Sequence, residues 1–146
     1  NTSGFDMVRM IALGADVIHS ARAMMLALGC IQSKQCGSNT CPVGVATQNP
    51  RLFKQLDIED KSKRVYNYHT ATVKNFVELV GAMGLANPSD ILPSSVMRRI
   101  SDHEVRYFDE IYDFIESGCL LNDATIPARY RRFWEAATPD TFSFVH

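Results

Sequence analysis

Apolar residues recur with helical spacing at the start of the chain. Ser3 is suited to cap a helix from Phe5 to Leu13, which Gly14 would end. A short β-type run, Asp16 to His19, and a second helix, Ala23 to Leu28, follow. The order helix, strand, helix is typical of a β/α repeat.

The periodicity is lost from residue 29 to about residue 57, where Gly, Pro, Asn and Gln dominate, and this predicts an irregular segment. A long amphipathic helix is predicted over Ile58 to Met83, with Gly84 as its terminator. Its apolar side comprises Val65, His69, Val73, Phe76, Val77 and Val80. Two more helices are predicted, one from Ser101 or Asp102 to Ser117 and one from Pro127 to Ala137.

Composition excludes several classes of protein. The 146 residues are 46% hydrophobic and 21% charged with a formal net charge of −1, which is typical of a soluble globular protein with one modest core. The near-balanced charge gives no indication of nucleic-acid binding, and no apolar run approaches the roughly 20 residues that cross a bilayer. Because the chain opens without methionine and enters a helix at once, we expect it to be part of a longer polypeptide.

Three cysteines, Cys30, Cys36 and Cys41, lie within twelve residues, and only Cys119 occurs elsewhere. This crowding does not fit a framework of paired disulfides. Thiolates in such numbers usually bind zinc or an iron–sulfur cluster. The cysteine-rich segment therefore predicts a metal centre.

The spacing of the cysteines favours iron over zinc. Five residues separate the first pair and four the second, whereas zinc sites prefer short knuckles and four ligands. Zinc would have to recruit Cys119 or a distant histidine from the set His19, His69, His103 and His146. A 3Fe-4S cluster takes three thiolates, and Pro42 after the last cysteine resembles the Cys-Pro ending of bacterial ferredoxin loops. Zinc and unliganded thiols remain the alternatives.

The other candidate residues have structural interpretations. His69 is expected to be a satisfied core histidine, and Cys119 a small buried hydrophobe. On the residues alone, Ser20 to Arg22 is an ordinary helix start, with Ser20 as its cap and Arg22 in a surface ion pair.

A family resemblance changes this interpretation. The stretch from Gly14 to Cys30, the spacing of Cys36 and Cys41, and the run from Cys41 to Gln48 closely resemble the C-terminal end of the FMN-binding synthase domain of glutamate synthase. Residues 51–84 and 97–100 resemble the shorter, single-polypeptide FMN-binding glutamate synthase family proteins.

The resemblance implies an α/β fold, the C-terminal part of an FMN-binding (β/α)8 TIM barrel. Residues 1–29 would supply the last helix, strand and helix of the barrel, with residues 17–19 as its eighth strand. Residues 30–57 would form the iron–sulfur loop, and residues 58–146 a mainly α-helical C-terminal extension.

The resemblance also implies the site residues. The FMN phosphate would lie on the loops after strands seven and eight, at Thr2, Ser3 and Gly4 and at Ser20, Ala21 and Arg22. Large family members have Lys-Thr-Gly and Gly-Thr at these places, so Ala21 and Arg22 depart from the pattern, although the guanidinium of Arg22 suits phosphate. Cys30, Cys36 and Cys41 would bind a 3Fe-4S cluster.

The implied activity is formation of L-glutamate from 2-oxoglutarate and ammonia or glutamine-derived nitrogen, by hydride transfer from reduced FMN to 2-iminoglutarate. An electron donor, ferredoxin or a reduced pyridine nucleotide acting through a partner, would supply the cluster. The catalytic residues would lie upstream, so we expect this chain by itself to be inactive. A reducing cytoplasm suits such a protein, with an upstream membrane anchor left open. Two alternatives are a zinc-stapled interaction module and an FMN oxidoreductase of the same scaffold with another substrate.

Overall fold

The computed structural model describes residues 3–142 of the chain. The chain forms two compact units, residues 1–108 and residues 109–146. The helices are α1 (Gly4–Ala12), α2 (Ala21–Ala27), α3 (Pro50–Phe53), α4 (Ile58–Ala82), α5 (Phe108–Ile111) and α6 (Ala128–Ala136). The strands are β1 (Met97–Ser101) and β2 (Glu104–Tyr107).

The first predicted helix is confirmed as α1, which begins and ends one residue before the predicted bounds of Phe5 and Leu13. The Ser3 hydroxyl oxygen accepts a hydrogen bond from the Asp6 amide at 3.2 Å, which satisfies one amide of the first turn. Gly14, at φ +97°, follows the helix in the left-handed region that favours glycine. Val8 and Ala12 on the inner side of α1 are buried.

The predicted long helix is confirmed as α4, which spans 25 residues. Asp57 caps it by accepting from the Asp60 amide, and Gly84, at φ +75°, follows its end. Phe76 and Val80 are buried, whereas His69 is exposed, so the prediction of a core histidine is wrong. Among residues 3–142, no helix combines the length and the apolar character needed to cross a membrane.

The core of the first unit forms where α4 packs along α1 and α2. Gly4 sets the closest approach: a Cβ built on it would lie 2.5 Å from the Phe76 backbone nitrogen and 2.6 Å from the Asn75 side-chain oxygen. Any side chain at this position would therefore push α1 away from α4. The sequence requires glycine here for packing rather than for backbone conformation.

The predicted strand over Val17 to His19 is not formed. Residues 15–20 are an irregular connection between α1 and α2, and Val17 is 74% exposed. A strand exists only when a neighbouring strand pairs with its backbone. The single sheet in residues 3–142 is a hairpin elsewhere in the chain, so this run has no strand partner.

The helix predicted from Ser101 or Asp102 to Ser117 is also wrong. The chain there forms the antiparallel pair of β1 and β2, with Met97 opposite Tyr107, and then the short helix α5. Asp102, expected to cap a helix, lies instead in the two-residue turn of the hairpin. Apolar and charged residues alternate in β2, which suits a strand, and its pairing with β1 prevails over the helical spacing of the later apolar residues.

The second unit, residues 109–146, is built around α6, which confirms the last predicted helix. Arg129 forms an ion pair with Asp113 and also donates to its backbone carbonyl oxygen at 3.0 Å. Arg131 donates to the Asp123 carbonyl oxygen at 2.9 Å. Cys119 is half-buried in a short 3₁₀ turn, so it is less enclosed than expected.

We expect Gly4→Ala to lower the free energy of unfolding by about 1–3 kcal/mol, because its methyl group would collide with the backbone of α4. Gly81→Ala is the matched control. Gly81 lies in α4 with nothing near its Cβ position, so alanine there should raise the free energy of unfolding by about 0.5–1 kcal/mol. Urea denaturation measures both, and equal effects of the two variants would contradict the packing role of Gly4.

Candidate functional site: the cysteine loop and two cavities

The segment between α2 and α3, residues 28–49, is called here the cysteine loop. It holds Gln32, Lys34 and Asn39 at φ values of 57°, 58° and 62°, and these are the non-glycine residues that residues 3–142 place at positive φ. Such conformations are costly and persist only where surrounding structure imposes them. Because these three residues lie beside the cysteines, contacts with the surrounding structure must hold the backbone of this loop in place.

Hydrogen bonds close the loop on itself. The Thr47 hydroxyl donates to the Asn39 carbonyl oxygen at 2.7 Å, and the Gln48 amide donates to the Asn39 side-chain oxygen. Asparagine tolerates the left-handed conformation better than most residues because its short polar side chain bonds locally. Asn39 therefore connects the middle of the loop to its end.

Cys41 is the buried thiol of the loop, 4% exposed. Hydrogen bonds from backbone amides, chiefly that of Ala46 and then those of residues 43–45, lower the pKa of the Cys41 thiol, and burial opposes them in part. Gly44, at φ +79°, permits this wrapping: a Cβ there would lie 2.5 Å from the Leu52 carbonyl oxygen of α3. The packing of α3 against Gly44 holds the amides around the sulfur.

Cys30 and Cys36 line the first cavity, which has a volume of about 380 Å³. Cys30 is half-buried and its sulfur accepts a hydrogen bond from the Gln32 amide at 3.4 Å, while Cys36 is exposed. Ala21 and Arg22, at the start of α2, line the same cavity. The structure thus brings two of the predicted metal ligands together with two of the predicted phosphate-binding residues.

Ser3 and Ser20 line a second cavity, of about 200 Å³, together with residues of α4 that include His69 and Thr72. The Ser3 oxygen accepts the cap hydrogen bond of α1, which leaves its hydroxyl proton available as a donor. Ser20 precedes α2 without capping it through its side chain, contrary to the expectation of an N-cap. The two loops that were predicted to bind phosphate therefore both contribute a serine to the second cavity.

The predicted site residues are distributed over three places. Ser3 and Ser20 share the second cavity, Ala21 and Arg22 share the first, and Gly4 packs against α4. In the described part of the chain, no three Cys, His, Asp or Glu side chains are gathered as a metal site, so Cys41 is not brought into one ligand group with the other two thiols. Thr2 and His146 lie outside the described residues.

His69 is the site residue that sequence reasoning missed. Its helical spacing placed it on the apolar face of α4, but the structure places it at the second cavity beside Ser3 and Ser20. His69 precedes Phe76 by seven residues and Val80 by eleven, so all three lie on the same face of α4. His69 is nevertheless exposed because the second cavity, and not a packed neighbour, lies over that turn of the helix.

Comparison with known proteins identifies the family. The family model for a conserved region in glutamate synthase matches residues 2–86, which include the cysteine loop and both cavities. The chain belongs to the glutamate synthase family. This finding confirms the family resemblance that the cysteine spacing and its flanking residues carry.

Individual proteins that are named as glutamate synthases or as similar to them also match the chain. The glutamate synthase large subunit-like protein YerD of Bacillus subtilis is 39% identical over 106 residues, which are 72% of this chain and 20% of that protein. An archaeal glutamate synthase [NADPH] of Methanocaldococcus jannaschii is 42% identical over 80 residues, 55% of this chain and 16% of that protein. The glutamate synthase [NADPH] large chain of Bacillus subtilis is 37% identical over 82 residues, 56% of this chain and 5% of that protein. No solved structure shows significant similarity.

The chain thus spans a fifth or less of the length of these curated relatives. The cysteine loop and the two cavities all lie within the residues that the family model matches.

We expect the stability of the metal-free protein to depend on the Cys41 thiolate. Because the amide of Ala46 and its neighbours lower the pKa of Cys41 in the folded state, this thiol adds stability above its ordinary pKa and loses it as the pH falls through the folded pKa. The difference in unfolding free energy between the native protein and Cys41→Ser should therefore grow as the pH rises from about 6 to about 9. Urea titrations at several pH values measure it, and a pH-independent difference would contradict the amide effect.

Proposed function

We propose that the chain is the segment of a glutamate synthase-type oxidoreductase that binds the FMN phosphate and a 3Fe-4S cluster. The reaction would be the formation of L-glutamate from 2-oxoglutarate and ammonia or glutamine-derived nitrogen, by hydride transfer from reduced FMN. When bound, the flavin supplies hydride transfer and the cluster supplies one-electron transfer. The residues of this chain bind and orient those groups.

One observation carries the proposal: the first cavity joins Arg22 to Cys30 and Cys36. A guanidinium is the side chain best suited to bind a phosphate through two parallel hydrogen bonds. Thiolates are the side chains that bind iron–sulfur clusters. A cavity lined by both kinds of group has the chemistry for a phosphate-bearing flavin next to a cluster.

The donor set fits a cluster with three thiolate ligands. Cys30, Cys36 and Cys41 are free thiols on one loop, and the structure gives backbone amide hydrogen bonds to the sulfurs of Cys30 and Cys41. Amide hydrogen bonds to cysteine sulfur stabilise clusters and tune their potentials. The three ligands are not gathered in residues 3–142 of this structure, so we infer that binding of the cluster draws the loop together.

The phosphate would be held from two sides. Arg22 supplies charge in the first cavity, and Ser3 and Ser20 are the hydroxyl groups at the second. Arg22 is exposed and makes no ion pair in residues 3–142, contrary to the surface ion pair expected of an ordinary helix start. The guanidinium of Arg22 therefore has its charge available beside the cysteines, which favours a role in binding a ligand.

The remaining parts of the proposal follow from family membership. Residues 1–29 would complete a (β/α)8 barrel, in which residues 17–19 would become a strand on pairing with strands from the rest of the protein. The catalytic residues, the 2-oxoglutarate site and any glutaminase nucleophile would lie outside this chain. The donor would be ferredoxin or a reduced pyridine nucleotide; the names of several relatives specify NADPH for those proteins. We place the protein in the cytoplasm.

The deciding experiment is anaerobic purification of the full-length protein, followed by assays of iron, acid-labile sulfide, FMN and glutamate formation. We expect about three irons, four sulfides and one FMN per chain, and glutamate formed only with 2-oxoglutarate and a nitrogen source. Stoichiometric zinc without sulfide would favour the zinc-stapled module instead. Flavin reduction without glutamate would favour an oxidoreductase with another substrate.

Substitution of the cysteines tests the ligand set. We expect Cys30→Ser, Cys36→Ser and Cys41→Ser each to remove most of the bound iron and sulfide, because a three-thiolate cluster has no spare ligand. Cys119→Ser is the matched control and should leave the iron content unchanged, since Cys119 lies in the other compact unit. Loss of iron from the Cys119 variant to the same degree would contradict the assignment.

Substitution of Arg22 tests the phosphate site. Arg22→Gln removes the charge from the first cavity and should raise the dissociation constant of FMN about tenfold or more in the full-length protein, as expected for a lost charge-assisted hydrogen bond. Arg9→Gln, on α1 and paired with Asp6, is the control and should leave FMN binding unchanged. Fluorescence titration of the apoprotein with FMN gives both constants; equal values would remove Arg22 from the site.

A further inference from the structure

His69 is an exposed histidine on the face of α4 that packs against α1. It precedes the buried residues Phe76 and Val80 by seven and eleven positions, which correspond to about two and three helical turns. The ion pair of Lys74 with Glu78 lies on the other side of the helix. His69 thus lies at the second cavity, and it makes no hydrogen bond or ion pair in the described part of the chain.

The amino end of α1 opens on the same cavity. Ser3, the N-cap of α1, lines it, and the close approach of Gly4 to the backbone of α4 at Phe76 keeps the two helices together there. The first amides of a helix lack partners within the helix, and the helix dipole adds partial positive charge at this end. An anion in the second cavity would therefore meet the positive end of α1.

The cavity offers hydrogen-bond donors without negative charge. The hydroxyls of Ser3 and Ser20 and the ring of His69 line it, and none of its described lining residues is an aspartate or a glutamate. Asp6, the nearest acid to Ser3 along α1, forms an ion pair with Arg9 at 3.4 Å. This chemistry suits an anion that accepts several hydrogen bonds.

Among the α4 residues that line the cavity, His69 is the one that can bring positive charge to it. The Thr72 hydroxyl donates to the Tyr68 carbonyl oxygen at 2.8 Å, within the helix. A neutral imidazole has one N–H donor, and a protonated imidazole has two donors and a positive charge. The cavity volume of about 200 Å³ is below the roughly 300–1,000 Å³ of sites that enclose a whole ligand. It suits the phosphate end of a nucleotide rather than its ring system.

We propose that His69 binds the phosphate of FMN in the second cavity and thereby makes the site select FMN over riboflavin. The inference rests on the proposed function, in which Ser3, Ser20 and Arg22 bind this phosphate. His69 adds a contact from α4, the helix that follows the cysteine loop. A hydrogen bond from an imidazole to a phosphate is charge-assisted and therefore stronger than a neutral one. The long helix thus takes part in cofactor binding as well as in the core.

The test compares FMN with riboflavin, which has the same ring system and no phosphate. The full-length apoprotein is titrated with each flavin, and flavin fluorescence gives the two dissociation constants. We expect His69→Gln to raise the dissociation constant of FMN about five- to thirtyfold, because glutamine cannot carry positive charge. The dissociation constant of riboflavin should stay the same, since riboflavin has no group to contact His69.

Two further variants separate charge at the cavity from packing of the helix. His69→Arg keeps a cationic donor at this position and should hold the preference for FMN within about threefold of the native value. His103→Gln is the matched control. His103 lies in the turn between β1 and β2 and lines neither cavity, so both dissociation constants should remain native.

The outcomes distinguish the role of His69 from the proposed function. If the native protein prefers FMN and His69→Gln keeps the same preference, the role of His69 alone is overturned. An equal rise of both dissociation constants in His69→Gln also overturns it, because that pattern shows a structural role. If the native apoprotein binds neither flavin, or binds both equally, the proposed phosphate site fails and the inference fails with it.

Discussion

The close contact between α1 and α4 at Gly4 supports the rest of the first unit. With no side chain at Gly4, the start of α1 reaches the backbone of α4 at Asn75 and Phe76, and this contact fixes α4 against α1. A helix of 25 residues is about 37 Å long. Its first turns reach the cysteine loop, its middle lines the second cavity, and its last turns enter the core. One helix therefore contacts the cysteine loop, the second cavity and the core of the first unit.

The cysteine loop depends on that framework because its own conformation is unfavourable. Three non-glycine residues at positive φ and a buried thiol surrounded by amides would not persist in an isolated peptide. The contact of α3 with Gly44 and the hydrogen bonds to Asn39 hold the conformation. The amides around Cys41 favour its thiolate form, which is the form that binds metal. In the proposed function, the fold would thus supply part of the ligand chemistry before the cluster binds.

The sequence predicts the parts of this structure whose signals are local. Ser3 and Gly14 bound α1 as their capping chemistry requires, and the repeat of apolar residues reveals α4 over its full length. The sequence prediction missed the hairpin because Val105, Phe108 and Ile111 fit a helical spacing, whereas the alternating pattern covers only the four residues of β2, whose pairing with β1 is tertiary. His69 was misplaced because burial on a helix depends on what packs against it. The cavity that Arg22 and Cys30 share likewise depends on the tertiary fold, and no local sequence pattern predicts it.

The length of α2 sets the separation between Arg22 and Cys30, the residues proposed to bind phosphate and metal. Seven helical residues span about 10 Å, and they separate Arg22 at one end from Gly29 and Cys30 just beyond the other. In the proposed function, the flavin phosphate and the cluster are therefore attached to the two ends of one short, rigid element. In that arrangement, movement of the cysteine loop would shift the cluster ligands, whereas α1, α2 and α4 would hold Ser3, Ser20 and Arg22 in place.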